Sequence, residues 1–305
     1  MKESLKVSIC MITYGHENFI EEAINGVLMQ ECDFEIELII SNDCSPDKTD
    51  AVIQKILKTH PKASTINYIN QENNLGIAAN FIFTLEQCNG KYIAICEGDD
   101  YWIDPLKLQK QVDFLETNED YLIHSGNAIL LSSDLSRETL IKDNVDSTFV
   151  LEDFLSNNNL ITCTVMFRNQ KFHIPEIFNK ITFLDWFLYV ILMKNGRLKA
   201  YRSVEIYSIY RVQNSGVMIN LSELNSCNTH IFQIISIHNY LGINKIKGKA
   251  REKLNYYFNT RYNLVLKEKK YVETLKIVCT NFQYCKFKTP LRKYLSDLKL
   301  HFFVN

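Results

Sequence analysis

The first hundred residues alternate between two hydrophobic periods, and that alternation restricts the fold more than any other feature of the chain. Leu5, Val7, Ile9 and Met11 recur at every second position over Leu5 to Thr13, which marks a strand. Phe19, Ile20, Ala23, Ile24, Val27 and Leu28 then recur at helical spacing. The same reading predicts strands over Phe34 to Ile40, Thr65 to Ile69 and Tyr92 to Cys96, with helices over 48–59 and 77–88 between them. Strand and helix in strict alternation predict an α/β domain whose mostly parallel sheet carries helices on both faces. Ligands of such sheets sit at the carboxyl ends of the strands. Three of those exits are polar here, at Thr13-Tyr14, at Asp43 and at Glu97 to Asp100, and they are expected to converge on one crevice.

The fourth strand carries the strongest chemical signal. Tyr92 to Cys96 is a short apolar run that reads as buried on both faces, yet it ends in Glu97-Gly98-Asp99-Asp100. Like charges at such range raise one another's pKa and cost folding energy, so a positive partner is expected beside them. A divalent metal shared with a phosphorylated ligand is the simplest one. In an extended or turning backbone Glu97 and Asp99 point to the same side and can reach one ligand assembly. The bland reading is a solvated acidic turn before the next helix. Against it, Asp104-Pro105 already reads as an independent N-cap and first-turn pair for a helix bearing Leu108, Val112 and Leu115.

Other acids are ambiguous alone. Asp43, just before Ser45-Pro46, reads as an Asx-turn residue or as an acceptor for a nucleobase imide or ribose. Asp185 is a lone acid in an apolar run. It reads as the N-cap of a helix over 183–194 or as a general base whose basicity is raised by a partly apolar pocket. Arg211 and Gln213 read as phosphate ligands or as a polar strand end.

These segments in this order resemble the family 2 glycosyltransferases, from Val7 to Gly216. VSICMITYGHENFIEEAINGVLMQ looks like that family's first strand and helix, and SNDCSPDKT is similar to its acidic uridine loop. NNLGIAANF resembles its Asn-x-Gly segment, CEGDDYWIDPLKLQKQ its DxD motif, LDW its (E/D)D motif, and YRVQNSG the segment that closes over the diphosphate. The resemblance implies the GT-A nucleotide-sugar-binding fold and inverting transfer from a nucleotide-diphosphate sugar, UDP-linked, to a hydroxyl of a glycan or lipid-linked acceptor. It implies Asp185 as catalytic base, and Thr13, Tyr14, Asp43, Asn74, Glu97, Gly98, Asp99 and Arg211 around the nucleotide-sugar. It further implies Mn²⁺ or Mg²⁺ on Asp99, with Glu97 or Asp100 assisting. In two places the chain departs from the family pattern. Glu97 stands where the first DxD acid is expected, which leaves ligation mainly to Asp99. Gln213 stands where related sequences often carry His, and a neutral amide cannot replace an imidazole.

Charge separates the chain into two parts. Residues 1–244 hold 19 Lys/Arg against 31 Asp/Glu, a balance of −12, and residues 245–305 hold 15 against 4, a balance of +11. The expected organisation is a GT-A domain over 1–220 and a basic helical C-terminal extension over 221–305. In the extension Lys286, Lys288, Arg292, Lys293 and Lys299 beside Leu295, Leu298 and Phe302 form either a solvated helical face or a docking face for an anionic membrane. Nucleic acid is not an expected partner. The nine scattered cysteines form no CxxC pair and read as free thiols of a reducing compartment. The opening MKESLKVSICMITY lacks a signal-peptide layout, and the run Ile181 to Met193 falls short of the ~20 residues a bilayer span needs. A cytoplasmic protein, at most peripheral on the inner membrane face, is expected. No GxGxxG follows the first strand and no GxxxxGK[ST] loop occurs, which argues against a nicotinamide dehydrogenase and a P-loop NTPase. The remaining alternative is a non-catalytic nucleotide-sugar-binding or membrane-scaffold protein on the same fold.

Overall fold

The computed structural model describes residues 5–132, 137–140, 145–170, 172–212, 221–268 and 270–285. The chain divides into two compact units, one formed by residues 1–154, 158–180 and 184–214, the other by 155–157, 181–183 and 215–305.

The first unit is built on β1 (Leu5–Thr13), whose odd positions Val7, Ile9 and Met11 are fully buried. It is flanked by β2 (Glu35–Asn42) and β4 (Tyr92–Ile95), and β3 (Ile66–Asn70) lies outside β2, all four strands parallel. Helices α1 (Ile20–Leu28), α2 (Thr49–Thr59) and α4 (Lys107–Thr117) close one hydrophobic core with the β1 odd residues, Leu38, Ile40, Tyr92 and Ala94. Helix α3 (Ile77–Gln87) supplies Asn80, which binds Ser41 of β2 through both amide atoms. These elements lie within two residues of the bounds read from the sequence.

Beyond β4 the sheet departs from parallel order. The three-residue strand β9 (Met166–Arg168) is antiparallel to both β4 and β6 (Tyr121–Leu131). Next comes β10 (Lys199–Arg211), parallel to β6, and two short strands flank β10 antiparallel: β5 (Tyr101–Trp102) and β8 (Ser147–Phe149). Strand β7 (Arg137–Leu140) pairs with β6. Helix α5 (Leu184–Met193) is buried at every position except Asp185, as expected for a helix that is apolar all round. Asp104 is not the N-cap of α4. Its carboxylate instead receives the Leu106 amide at 2.9 Å, and Leu106 occupies the cap position because the chain makes one further turn after Pro105.

The second unit holds α6 (Glu223–Tyr240), α7 (Gly248–Lys267) and α8 (Tyr271–Cys285). Leu254, Phe258, Tyr262 and Val265 form the buried stripe of α7, and Ser222 caps α6 through the Asn225 amide. No helix among the described residues is long and apolar enough to cross a membrane. Gln213, the basic residues Lys286, Lys288, Arg292, Lys293 and Lys299, and the apolar Leu295, Leu298 and Phe302 lie outside the described residues.

Candidate active site

Strand β4 delivers its acids into a turn that the rest of the sheet pins from two sides. On the β1 side, the Gly98 amide donates to the Ile12 carbonyl at 3.0 Å. A side chain there is excluded: a Cβ on Gly98 would stand 2.7 Å from Thr13 Oγ1 and 3.0 Å from His16 Nδ1. On the β10 side, Asp100 is buried and its Oδ1 accepts the Arg211 amide at 2.8 Å. Glu97 and Asp99 remain partly exposed. Asp100 thus braces the turn from beneath, while its neighbours occupy the accessible side.

The charges gathered here are strongly coupled. Burial, followed by Asp99, Asp100 and Asp185, holds the Glu97 carboxyl well above the usual carboxylate range. Asp185, 88 residues further on, therefore lies within electrostatic reach of the turn. Burial and Asp99 push Asp100 up as well, against the pull of the Arg211 amide. Burial pushes His16 down, although Asp99 and Asp47 act in the opposite sense.

Asp185 sits in the first turn of α5 and is half-buried. Its Oδ2 accepts two hydrogen bonds of 2.6 Å, from Asn158 Nδ2 and from Thr162 Oγ1. The short 3-10 turn Thr162–Thr164 also reaches the strand just after the acid turn, since the Cys163 carbonyl accepts Trp102 Nε1 of β5 at 2.7 Å. Asn158, Thr162, His16 and Glu22 are site neighbours that the sequence reading did not single out.

The β1 and β2 exits form a second wall. The Asp43 amide donates to the Thr13 carbonyl, the Gly15 amide to Ser45 Oγ, and the Glu17 amide to Asp47 Oδ2, at 2.9, 3.0 and 3.0 Å. Asp43 is buried, and its two carboxylate oxygens accept the Leu75 and Gly76 amides at 2.7 and 3.0 Å. Asn74 Nδ2 returns a bond to the Asp43 carbonyl at 3.2 Å. Asp43 thereby ties the loop before α3 to the β2 exit. Cys44 beside it takes a left-handed φ of 57°, the one non-glycine residue to do so among those described. Tyr14 is 48% exposed and Asn74 is exposed at the rim. Arg211, by contrast, is enclosed by Glu22, Phe19 and Tyr101.

The donor set suits a hard divalent cation, because Glu97 and Asp99 offer carboxylate oxygens at alternate positions. Among the described residues no three His, Cys, Asp or Glu side chains form a closed cage. A cation held here would take one or two protein ligands and leave positions for a phosphorylated ligand and water.

Residues 8–173 match the glycosyl transferase family 2 profile. The chain belongs to that family. Uncharacterized proteins of Mycobacterium tuberculosis and Mycobacterium bovis are 30% identical to this glycosyl transferase family 2 chain over 212 residues. The match covers 69% of the chain but only 60% of those relatives' own length. A relative from Campylobacter jejuni, the GalNAc(5)-diNAcBac-PP-undecaprenol beta-1,3-glucosyltransferase, is 26% identical over 214 residues, covering 68% of this chain and 65% of that one. Among solved structures, S. aureus TarS 1–349 in complex with UDP-GlcNAc aligns with a TM-score of 0.59 at 18% identity, over 85% of this chain and 73% of that one. The fold shared with this family 2 chain is GT-A.

Proposed function

We propose that this chain is an inverting glycosyltransferase moving a sugar from a nucleotide-diphosphate donor, UDP-linked, to a hydroxyl of a glycan or lipid-linked acceptor in surface-polysaccharide synthesis. The observation that carries this reading is that one short turn, Thr162–Thr164, holds Asp185 through Thr162 and, through the Cys163 carbonyl, Trp102 just after the Glu97–Asp100 turn, so that two acidic elements far apart in the chain share one support. Asp185 is the general base. With Oδ2 occupied by Asn158 and Thr162, Oδ1 is the oxygen that takes the acceptor's proton. The acceptor oxygen attacks the anomeric carbon, and the bond to the diphosphate oxygen breaks on the opposite side. Mn²⁺ or Mg²⁺ on Asp99, assisted by Glu97, would supply charge neutralisation for the diphosphate. Thr13, Tyr14, Asp43 and Asn74 border the nucleotide in this reading, and Gly98 lets the turn approach β1.

Support for a UDP donor comes from TarS, which is described in complex with UDP-GlcNAc, and support for a lipid-linked acceptor from the undecaprenol named for the Campylobacter relative. The catalytic part is assigned to residues 1–220 and a basic extension to 221–305, a division supported by the boundary between the two units near residue 214. The charge of the extension supports its docking on the inner face of the membrane.

The test is a panel of nucleotide-sugars with Mn²⁺, read first as thermal stabilisation and then as donor turnover with and without chelator. The expected result is one stabilising donor whose turnover stops in excess chelator. Stabilisation without turnover on any acceptor or water would assign the chain to donor binding alone.

A further inference from the structure

Helix α1 and the residue at its N-cap present three positions, 19, 22 and 26, at helical spacing on one stripe, and each meets β5, which follows the acid turn, or the β10 strand paired with it. At Gly26 a Cβ would stand 2.8 Å from both the amide nitrogen and the carbonyl oxygen of Trp102, so α1 lies directly on the backbone of β5. Phe19 and Tyr101 lie on the Arg211 guanidinium, with ring centroids 5.1 and 4.3 Å away. Glu22 forms an ion pair with Arg211 Nη2. Arg211 Nη1 then donates to the Asp99 carbonyl at 2.7 Å, and its backbone amide binds the Asp100 carboxylate.

The arginine was expected to bind phosphate, yet its fork is committed within the protein. An arginine packed against two rings and bonded at both terminal nitrogens is a rigid strut, because its planar donors fix direction as well as distance. We propose that Glu22 is a positioning residue that acts through Arg211 to set the angle of the turn bearing Asp99. This rests on the reading that Asp99 holds the divalent cation. The Arg211 side chain is 8% exposed and that of Glu22 60%, so the outer end of the strut can be altered without opening the core.

Glu22→Gln removes the charge and keeps the shape. Glu21→Gln removes the same charge one residue away, from a side chain whose partner is Lys55 on α2, and serves as the control. Two readouts are taken on the full chain: hydrogen exchange of the peptide covering 97–102 without metal, and Mn²⁺ affinity by electron paramagnetic resonance. Glu22→Gln is expected to speed exchange by ~10-fold and to weaken Mn²⁺ binding by roughly 10-fold or more, with Glu21→Gln unchanged in both. Unchanged exchange, or faster exchange with unchanged Mn²⁺ affinity, overturns the role of Glu22. Tighter binding of a nucleotide diphosphate in Glu22→Gln would also overturn it, since Glu22 would then be a competitor for an arginine that serves phosphate. Asp99→Asn separates the two ideas: equal Mn²⁺ binding in this variant and the unaltered chain defeats the metal assignment, while the exchange measurement still judges the strut.

Discussion

Thr162 Oγ1 donates a 2.6 Å hydrogen bond to Asp185 Oδ2, and the carbonyl of the next residue, Cys163, holds the indole of Trp102. One short turn therefore supports both the carboxylate assigned as base and the segment that follows the acids proposed to hold the metal. Losing a hydrogen bond to a charged group costs about 1.5–3 kcal/mol, or about 10–100-fold in rate when the bond orients a reacting group. Thr162→Val is expected to lower kcat by about that factor and to leave the donor KM near its original value. Steady-state kinetics on the purified variant decide it, and a change confined to KM would place Thr162 in donor binding instead.

Gly98 has no room for a methyl group against Thr13, whose Oγ1 and Cβ would lie 2.7 and 2.8 Å from it. Gly98→Ala is expected to destabilise the chain by ~1–3 kcal/mol as β1 and the acid turn part. Urea unfolding measures this. An unchanged midpoint would mean that the turn moves freely away from Thr13.

Lys107 is fully buried, 2.7 Å from Gln111 Oε1 and 3.9 Å over the Trp102 ring. Burial lowers its pKa from 10.5 to about 7, with Cys96, Cys163 and Asp104 acting in the opposite direction. Between those two values the unfolded chain keeps a proton that the folded lysine has released, so stability from this group grows as pH rises and is lost toward pH 7. Lys107→Met removes that slope. Its stability advantage over the unaltered chain is expected to narrow from pH 7 to pH 9 by at most ~1.4 kcal/mol per pH unit. Denaturant melts at three pH values give the comparison, and parallel stability curves would contradict it.

Most of the framework was legible because long elements repeat their period. In β1, α2 and α3 the apolar residues recur over two or more cycles of the sequence, and the bounds follow from that spacing, even though β1 is buried without a break from Val7 to Met11. Strand β5, with two residues, has no cycle to display, and the run Cys163 to Arg168 reads as a strand, whose last three residues are β9, without showing its direction, so the antiparallel insertion between β4 and β6 could not be read. The same limit hid the support of the site. Asn158 and Thr162 lie in an irregular stretch, and nothing in their local sequence marks them as the partners of Asp185. Glu22 looks like any solvated acid beside Glu21 on an amphipathic helix, and only the return of β10 gives it Arg211. Where a residue's role is set by its own strand or helix the sequence suffices, and where a distant segment sets it the contact must be seen.

Asp185 is the residue on which the proposed transfer turns. Asp185→Asn preserves the size of the side chain and the bond from Thr162 while removing the base. Measured on the full chain with its stabilising donor and Mn²⁺, the variant is expected to keep its melting temperature and donor affinity and to lose transfer by ~10²–10⁴-fold. Transfer at the unaltered rate would contradict the assignment of Asp185 as the base.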